Sequence, residues 1–134
     1  MIVPAETAAF LRRHWEEGWN GRDVEVIMAP YAEGVVFSSP AIPKYTGDPD
    51  QATIDGADAL REYVVAALGR SGDVRYRVDD VFTGAETVVL VYTCSFPDGS
   101  TRPGADSMRL DADGKVVEWR CHYGSDPTAW RPEV

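Results

Sequence analysis

The spacing of apolar residues predicts a pair of helices at the start of the chain. Between residues 6 and 19, apolar side chains recur every three or four positions, which is typical of one buried helix face. The Asn-Gly pair at 20–21 ends this helix. Asp23 is placed to cap a second, short helix that carries apolar residues from Val24 to Tyr31 and is closed by Gly34. The pattern therefore indicates two helices joined tightly.

A strand, a loop and a third helix are predicted next. Residues 35–39 form a β-rich run that Pro40 ends, and residues 40–55, which hold three of the nine prolines, are interpreted as a loop. A loop of this length in a small domain is typical of a lid or a binding segment, so it is a candidate pocket cover. Residues 56–72 then carry the period of a third helix.

The second half of the chain predicts only strands. Four β-rich segments are separated by short turns rich in Gly and Asp, and they span residues 75–83, 87–96, 102–110 and 115–123. Short turns make consecutive strands antiparallel neighbours. The order predicts an α+β fold in which three N-terminal helices pack on one face of a curved, mostly antiparallel sheet. Residues 127–134 form a tail that either returns Trp130 to the body or frays.

Composition limits the partners. With 134 residues, of which 44% are hydrophobic, the chain is expected to form a single domain over residues 1–134. It has 22 acidic and 13 basic side chains, so its formal charge is −9. An acidic chain without basic clusters has no electrostatic site for nucleic acid or for an anionic membrane, so neither is expected as a partner. No segment is typical of a secretion signal or a membrane span, and the expected location is the cytoplasm.

The few metal-ligating residues are spread apart. Cys94 and Cys121 form no CxxC pair, and the only histidines are His14 and His122. No spacing predicts a metal site, and no cofactor is expected. We interpret both histidines as surface or interface residues, although His14 could reach a pocket mouth, and Cys121 as a small buried hydrophobe.

Three stretches of the sequence resemble the nuclear transport factor 2-like superfamily, which includes ketosteroid isomerase, scytalone dehydratase, limonene-epoxide hydrolase and SnoaL-like polyketide cyclases. The first is WNGRDV at 19–24 leading to YAEGVVF at 31–37, and the second is IDGADALREY at 54–63. The third is DSMRL at 106–110 followed by DGKVVEWR at 113–120. Their order and spacing, rather than any single motif, carry the resemblance.

The resemblance implies a cone formed by the sheet, with an internal pocket for a small apolar molecule. It also implies a homodimer through the convex sheet face, where Arg109, Arg120 and His122 are possible contacts. Function in this superfamily is set by the pocket, so the resemblance does not define a reaction.

Strand alternation places Asp106 inside the cone. Trp119, Cys121 and Tyr123 share one face of the last strand, and Asp106 and Met108 are their inward counterparts on the strand before. A carboxyl among apolar residues should have a raised pKa and could act as an acid or a base near neutral pH. Alternatively, Asp106 merely ends the turn that precedes it and meets solvent.

Ketosteroid isomerase itself is an imperfect guide. The resemblance puts Asp106 where that enzyme keeps the aspartic acid of its oxyanion hole. Its catalytic tyrosine and its base aspartate, however, are replaced by Trp15 and Ser39. Trp donates one hydrogen bond and accepts none, and an unactivated Ser is no base for a carbon acid. Steroid isomerisation by that mechanism is therefore not expected.

Aromatic residues are numerous enough to form the walls of a cavity, although core packing would also require many of them. The candidate substrate-binding residues are Trp15, Trp19, Phe37, Ser39, Tyr63, Met108, Trp119, Cys121 and Tyr123. Asp106 is the candidate catalytic residue.

Two functional hypotheses follow. In the first, the chain is a cofactor-independent enzyme of the isomerase or polyketide-cyclase type that acts on an apolar carbonyl compound, with Asp106 as acid or base and with Trp15 and Tyr123 orienting the substrate. In the second, it is a non-catalytic ligand-binding or dimeric assembly domain, which the replacements at positions 15 and 39 favour.

Overall fold

The structure is a computed structural model, and it describes residues 1–124. The predicted return of Trp130 lies outside the described residues. The elements, in chain order, are α1 (Ala5–Gly21), α2 (Val24–Met28), β1 (Tyr31–Ser38), α3 (Ile42–Thr46), β2 (Thr53–Asp55), α4 (Ala57–Ser71), β3 (Arg75–Thr83), β4 (Thr87–Ser95), β5 (Thr101–Leu110) and β6 (Val116–Tyr123). None of these helices is long and apolar enough to cross a membrane.

The first two helices meet at a tight joint, as predicted. Asp23 caps α2 by accepting hydrogen bonds from the backbone N–H groups of Glu25 and Val26. Gly18 lies so close to Ile27 that a Cβ at position 18 would be only 2.8 Å from the Ile27 Cγ1 atom. The absence of a side chain at Gly18 thus lets α2 pack directly on α1.

The second helix is shorter than predicted. It ends at Met28, whereas Tyr31 and Gly34 belong to β1, so the prediction of a helix through Tyr31 and closed by Gly34 is wrong. Pro30 has no N–H with which to continue the helical hydrogen bonds. Its carbonyl instead accepts a hydrogen bond from Val116 N at 2.9 Å, which joins this segment to β6.

The predicted loop at 40–55 is largely structured, which corrects the interpretation of this segment as a loop. It contains the helix α3 and the strand β2, which pairs antiparallel with β1 through Phe37 and Ile54. Pro43 lies in the first turn of α3, where a missing N–H costs little, so a proline there does not exclude a helix. Ala41 and Tyr45 of this segment do line the cavity described below.

The six strands form one mixed sheet in the order β2-β1-β6-β5-β4-β3, in which only β1 and β6 run parallel among the described pairs. The helices pack on this curved, unclosed sheet, which confirms the predicted α+β class. The described chain has four helices, whereas three were predicted; the additional helix is α3.

The first helix, α1, forms hydrogen bonds with β3, which is an edge strand of the sheet. Asn20 of α1 both donates to the Tyr76 carbonyl, at 2.7 Å, and accepts from the Tyr76 N–H, at 2.8 Å. Glu16 accepts from the Val78 N–H at 2.5 Å. Side chains of α1 thus satisfy backbone groups of an edge strand that would otherwise be unpaired. This pairing fixes the height of α1, and therefore of Trp15 and Trp19, over the sheet.

Candidate functional site

The predicted alternation on β5 and β6 is observed. Asp106, Met108 and Trp119 are buried, whereas Arg109 and Arg120 are exposed on the other face. The register places Asp106 opposite Cys121 and Met108 opposite Trp119. Asp106 is only 1% exposed, so it does not merely end a turn and meet solvent.

Three aromatic side chains from different elements donate hydrogen bonds to the Asp106 carboxyl, and Cys121 is a fourth hydrogen-bond partner. The indole N–H groups of Trp15 and Trp119 both reach Oδ2, at 3.1 Å and 2.9 Å. The Tyr92 hydroxyl reaches Oδ1 at 2.9 Å. Helix α1 and strands β4 and β6 therefore converge on one carboxyl, and none of the three partners is a cation.

Burial sets the protonation of Asp106. Loss of hydration raises the pKa of this carboxyl above its usual value, and hydrogen bonds from Trp119, Tyr92, Cys121 and Trp15 offset part of the rise. An indole N–H can only donate, so Oδ2 must remain an acceptor. Two donors on Oδ2 therefore favour Oδ1, the oxygen that Tyr92 contacts, as the site of the proton in the neutral acid.

Tyr92 is the central site residue that the sequence interpretation lacks. A phenol can both donate and accept, so it can donate to an ionised Asp106 or accept from a neutral one. In the second case the hydroxyl hydrogen of Tyr92 is released for another acceptor in the cavity. Burial raises the pKa of Tyr92 well above its usual range, so the phenol stays protonated at neutral pH.

Gly104 creates the space that Tyr92 occupies. The two residues are cross-strand partners, and a Cβ at position 104 would lie 2.4 Å from Cζ and 2.6 Å from the hydroxyl oxygen of Tyr92. The sequence does contain a signal for this arrangement. A glycine inside a predicted strand marks a close approach of another group, and the residue opposite it is a tyrosine.

The Asp106 carboxyl lies in the wall of an aromatic cavity of about 110 Å³. Its lining residues are Trp15, Trp19, Phe37, Ala41, Tyr45, Tyr63, Ala67, Ser71, Tyr76, Tyr92, Asp106, Trp119, Cys121 and Tyr123. Asp106 is the only carboxyl among them within the described chain. Most of the candidate residues from the sequence are thus brought together around one space.

Two candidate residues do not line this cavity. Met108 is buried in the hydrophobic core and is not among the lining residues. Ser39 is buried beside it, where its hydroxyl accepts a hydrogen bond from Ala41 N at 3.1 Å. Burial raises the pKa of Tyr63 and of Tyr123, and hydrogen bonding to Ser39 offsets part of each rise. Ser39 therefore supports the wall rather than facing the space.

Trp19 presents an unused donor. The residue lines the cavity and is 9% exposed, and its indole N–H has no hydrogen-bond partner among residues 1–124. A buried donor without a partner is costly, so an acceptor from outside the described chain would be bound favourably here.

A second, wider chamber of about 300 Å³ adjoins the cavity. The residues that line both spaces are Ala41, Tyr45, Ser71, Tyr76, Tyr92 and Tyr123. Tyr92, whose hydroxyl contacts Asp106, therefore lines both the cavity and the chamber.

Other potentially reactive groups do not join the site. His14 packs against Phe10, with ring centroids 4.0 Å apart, and His122 is exposed; neither lines the cavity. Burial and the nearby Asp106 raise the pKa of Cys121, which disfavours a thiolate. In the described part of the chain, no group of three or more His, Cys, Asp or Glu side chains is placed to hold a metal ion.

The family follows from comparison with known proteins. Residues 11–119 match the model of the SnoaL-like domain. The chain belongs to the SnoaL-like family. None of the curated proteins matches it.

Solved structures agree with the fold of this SnoaL-like domain. A SnoaL-like protein of unknown function from Burkholderia thailandensis has 25% identity and a TM-score of 0.81, over 92% of this chain and 99% of that one. An NTF2-like protein of unknown function from Mesorhizobium loti has 21% identity and a TM-score of 0.69, over 90% and 93%. A protein of unknown function with a cystatin-like fold from Methylobium petroleophilum has 18% identity and a TM-score of 0.71, over 93% and 80%. These structures share the fold, and the family match confirms the superfamily that the sequence motifs indicated.

The raised pKa predicts how Asp106→Asn changes the stability of the SnoaL-like domain. As pH rises above the ordinary value of 3.8, unfolded Asp106 loses its proton while the folded residue keeps it. The folded state then binds more protons, so this group's contribution to stability is fully present at low pH and is lost as pH rises through the folded pKa, by up to about 1.4 kcal/mol per pH unit. The asparagine side chain of the variant does not titrate.

The measurement is urea unfolding of both proteins from acid to alkaline pH. We expect the stability of wild type relative to Asp106→Asn to fall as pH increases. Taking the difference cancels the opposite contributions of the exposed carboxyls with lowered pKa, Asp79, Asp98 and Glu118. A difference that rises with pH would mean that the folded protein favours the carboxylate.

Proposed function

We propose that this domain binds an apolar carbonyl compound in the aromatic cavity and acts as a cofactor-independent isomerase or cyclase, with Asp106 as acid and base through Tyr92. The SnoaL-like fold supports small-molecule binding or isomerase-type activity in general. The observation that carries the specific proposal is the pattern of hydrogen bonds at Asp106, with two donors that cannot accept on Oδ2 and one phenol on Oδ1.

In the proposed reaction, neutral Asp106 donates to the Tyr92 oxygen, and the Tyr92 hydroxyl donates to the carbonyl oxygen of the ligand. As negative charge develops on that oxygen, the Tyr92 proton moves to it and the Asp106 proton moves to Tyr92. The resulting carboxylate is stabilised by the indoles of Trp15 and Trp119. In an intramolecular aldol closure, the enol carbon of the ligand bonds to the carbonyl carbon. The enol hydroxyl then becomes a carbonyl by giving its proton back to the Asp106–Tyr92 pair, so the number of protons is unchanged.

The walls of the cavity suit a flat ligand. Phe37 and Tyr63 lie with ring centroids 5.0 Å apart, and Phe37 and Trp119 with centroids 4.4 Å apart. Such rings present apolar faces to a ligand and place a few polar tips at its edge. The cavity and chamber, with about 110 Å³ and 300 Å³, reach the lower part of the range of about 300–1,000 Å³ that small-molecule sites occupy.

A second candidate function is non-catalytic ligand binding. The carboxyl oxygens of Asp106 are already occupied by donors, and Ser39 stands where the base aspartate of ketosteroid isomerase is expected from the resemblance. Within the described chain no second carboxyl lines the cavity to remove a carbon-bound proton.

Homodimerisation through the outer sheet face, which bears the Arg120–Glu118 ion pair at 3.1 Å, stays a prediction.

Tyr92→Phe tests the proposal. Aromatic and polycyclic ketones are first screened by thermal shift and for turnover by the wild type. On a converted compound, we expect Tyr92→Phe and Asp106→Asn each to lower kcat by about 10²-fold or more, since general acid–base groups contribute roughly 10²–10⁴-fold. KM should rise by a smaller factor than kcat falls, because both variants retain the cavity shape and lose at most one neutral hydrogen bond to the bound ligand.

The matched control is Tyr31→Phe. Tyr31 is also a buried tyrosine, and it stacks on Trp119 with centroids 4.7 Å apart, but it does not line the cavity. It should retain wild-type kcat. Unchanged kcat in both Tyr92→Phe and Asp106→Asn would refute the acid–base assignment, and ligands that bind without conversion by the wild type would favour the second function.

A further inference from the structure

The chamber that adjoins the aromatic cavity has an unusual charge for this protein. Its lining includes Lys44, Arg70 and Arg102 but no Asp or Glu within the described chain. Elsewhere acidic residues dominate, with 22 against 13 basic residues in the whole sequence. The described lining of this chamber is therefore positive in a protein whose net charge is negative, which would attract anionic small molecules locally.

Arg70 and Arg102 are held in place without an ion pair to residues 1–124. The Arg70 guanidinium carbon lies 5.0 Å from the centroid of the Tyr45 ring, and that of Arg102 lies 4.7 Å from the centroid of the Phe96 ring. A cation–π contact orients a guanidinium through the face of an aromatic ring and uses none of its N–H groups as hydrogen-bond donors. These groups therefore stay available to an oxyanion.

Several other arginines of the described chain have polar partners instead. Arg61, Arg77 and Arg120 each contact a carboxylate, and Arg22 donates to backbone carbonyls at the end of α4. The charges of Arg61, Arg77 and Arg120 are thus matched by carboxylates within the fold. Arg70 and Arg102 both line the chamber that adjoins the Asp106 cavity, and the charge of Arg102 also helps to lower the pKa of the exposed Asp98.

The electrostatic effect of both cations already reaches the chamber wall. Burial raises the pKa of Tyr45 and of Cys94, and the charges of Arg70 and Arg102, respectively, oppose these rises. The same attraction that favours a phenolate or thiolate on the wall would favour an oxyanion on a ligand in the chamber.

We propose that the ligand of this site is an apolar compound with an oxyanionic group, which Arg70 and Arg102 bind in the adjoining chamber while the apolar part occupies the aromatic cavity. The position of the ligand's carbonyl beside Tyr92 rests on the proposed function; the recognition of the anion does not. The substrate class is then an aromatic or alicyclic keto acid or its phosphate counterpart, rather than a neutral ketone.

Matched naphthalene probes test the inference. Binding of 2-acetylnaphthalene, 6-acetyl-2-naphthoate and 6-acetyl-2-naphthyl phosphate to the full chain is measured by calorimetry at low and high salt. We expect at least one anionic probe to bind about tenfold or more tightly than the neutral ketone. Only anion binding should weaken with salt. The preferred anion distinguishes a carboxylate from a phosphate ligand.

Arg70→Gln and Arg102→Gln should each remove much of this preference while leaving the Kd of the neutral ketone unchanged. Arg109→Gln, on the outer sheet face, is the matched control and should behave as wild type. A neutral ketone that binds as tightly as both anions, a preference that survives in both variants, or no binding by any probe at millimolar concentration would overturn the inference. Failure of the proposed function is seen separately, as unchanged turnover in Tyr92→Phe.

Discussion

Replacing Asp106 by Leu is expected to destabilise the protein by several kcal/mol. Leu has a similar shape but no acceptor, so the indoles of Trp15 and Trp119 and the hydroxyl of Tyr92 lose their shared partner. Each buried polar group left unsatisfied costs about 1–3 kcal/mol. Three such losses would remove a large part of the roughly 5–15 kcal/mol that stabilises a typical domain.

Asp106→Asn is the matched control for this effect. Its amide oxygen can accept from both indoles, and its NH₂ can donate to the Tyr92 oxygen, as a neutral carboxyl does. Urea unfolding near pH 5 should therefore show a small change for Asn and a large one for Leu. If the Leu variant proves too unstable to purify, Asp106→Thr, which keeps one acceptor, should show a loss clearly greater than that of Asp106→Asn. A loss below about 1 kcal/mol for Leu, or a Thr variant as stable as the Asn variant, would contradict the shared-acceptor role.

The strands after residue 75 could be predicted because each is bounded by a turn with Gly or Asp. Alternation within them also predicted the burial of Asp106 and Trp119, because shifting the alternation by one residue would place every apolar side chain of the strand on the solvent face. The elements between 40 and 55 could not be predicted in the same way. β2 has three residues, of which only Ile54 is buried, and its place depends on pairing with β1.

The partners of Asp106 depended on information that local patterns do not contain. Trp15 is 91 positions away in sequence, and its contact with Asp106 requires the height of α1 over the sheet. Tyr92 pairs in register with Gly104, while its hydroxyl extends along the neighbouring strand to Asp106. The periodicity of one strand indicates which face a side chain occupies, but not which residue of the next strand it reaches.

Gly104→Ala is expected to disrupt the site from outside the hydrogen-bond network. The added methyl group would lie 2.4 Å from Tyr92 Cζ, so the ring must move away from the position at which its hydroxyl contacts Asp106. Tyr92 is itself buried, so it has little space to move. We expect a loss of about 1–3 kcal/mol from overpacking, together with a loss of the Tyr92–Asp106 hydrogen bond.

Gly69→Ala separates this steric effect from a general cost of removing glycine. A Cβ at position 69, near the end of α4, would meet no atom within 4 Å, so this variant should be neutral or slightly stabilising. Urea unfolding gives both values. If the cause is the contact with Tyr92, the double variant Gly104→Ala/Tyr92→Leu should lose less than the sum of its single changes, because a shorter side chain at 92 removes the atoms that the methyl group meets. Additive losses would instead place the cost of Gly104→Ala in the backbone of β5, and Tyr92 would then owe its position to other contacts.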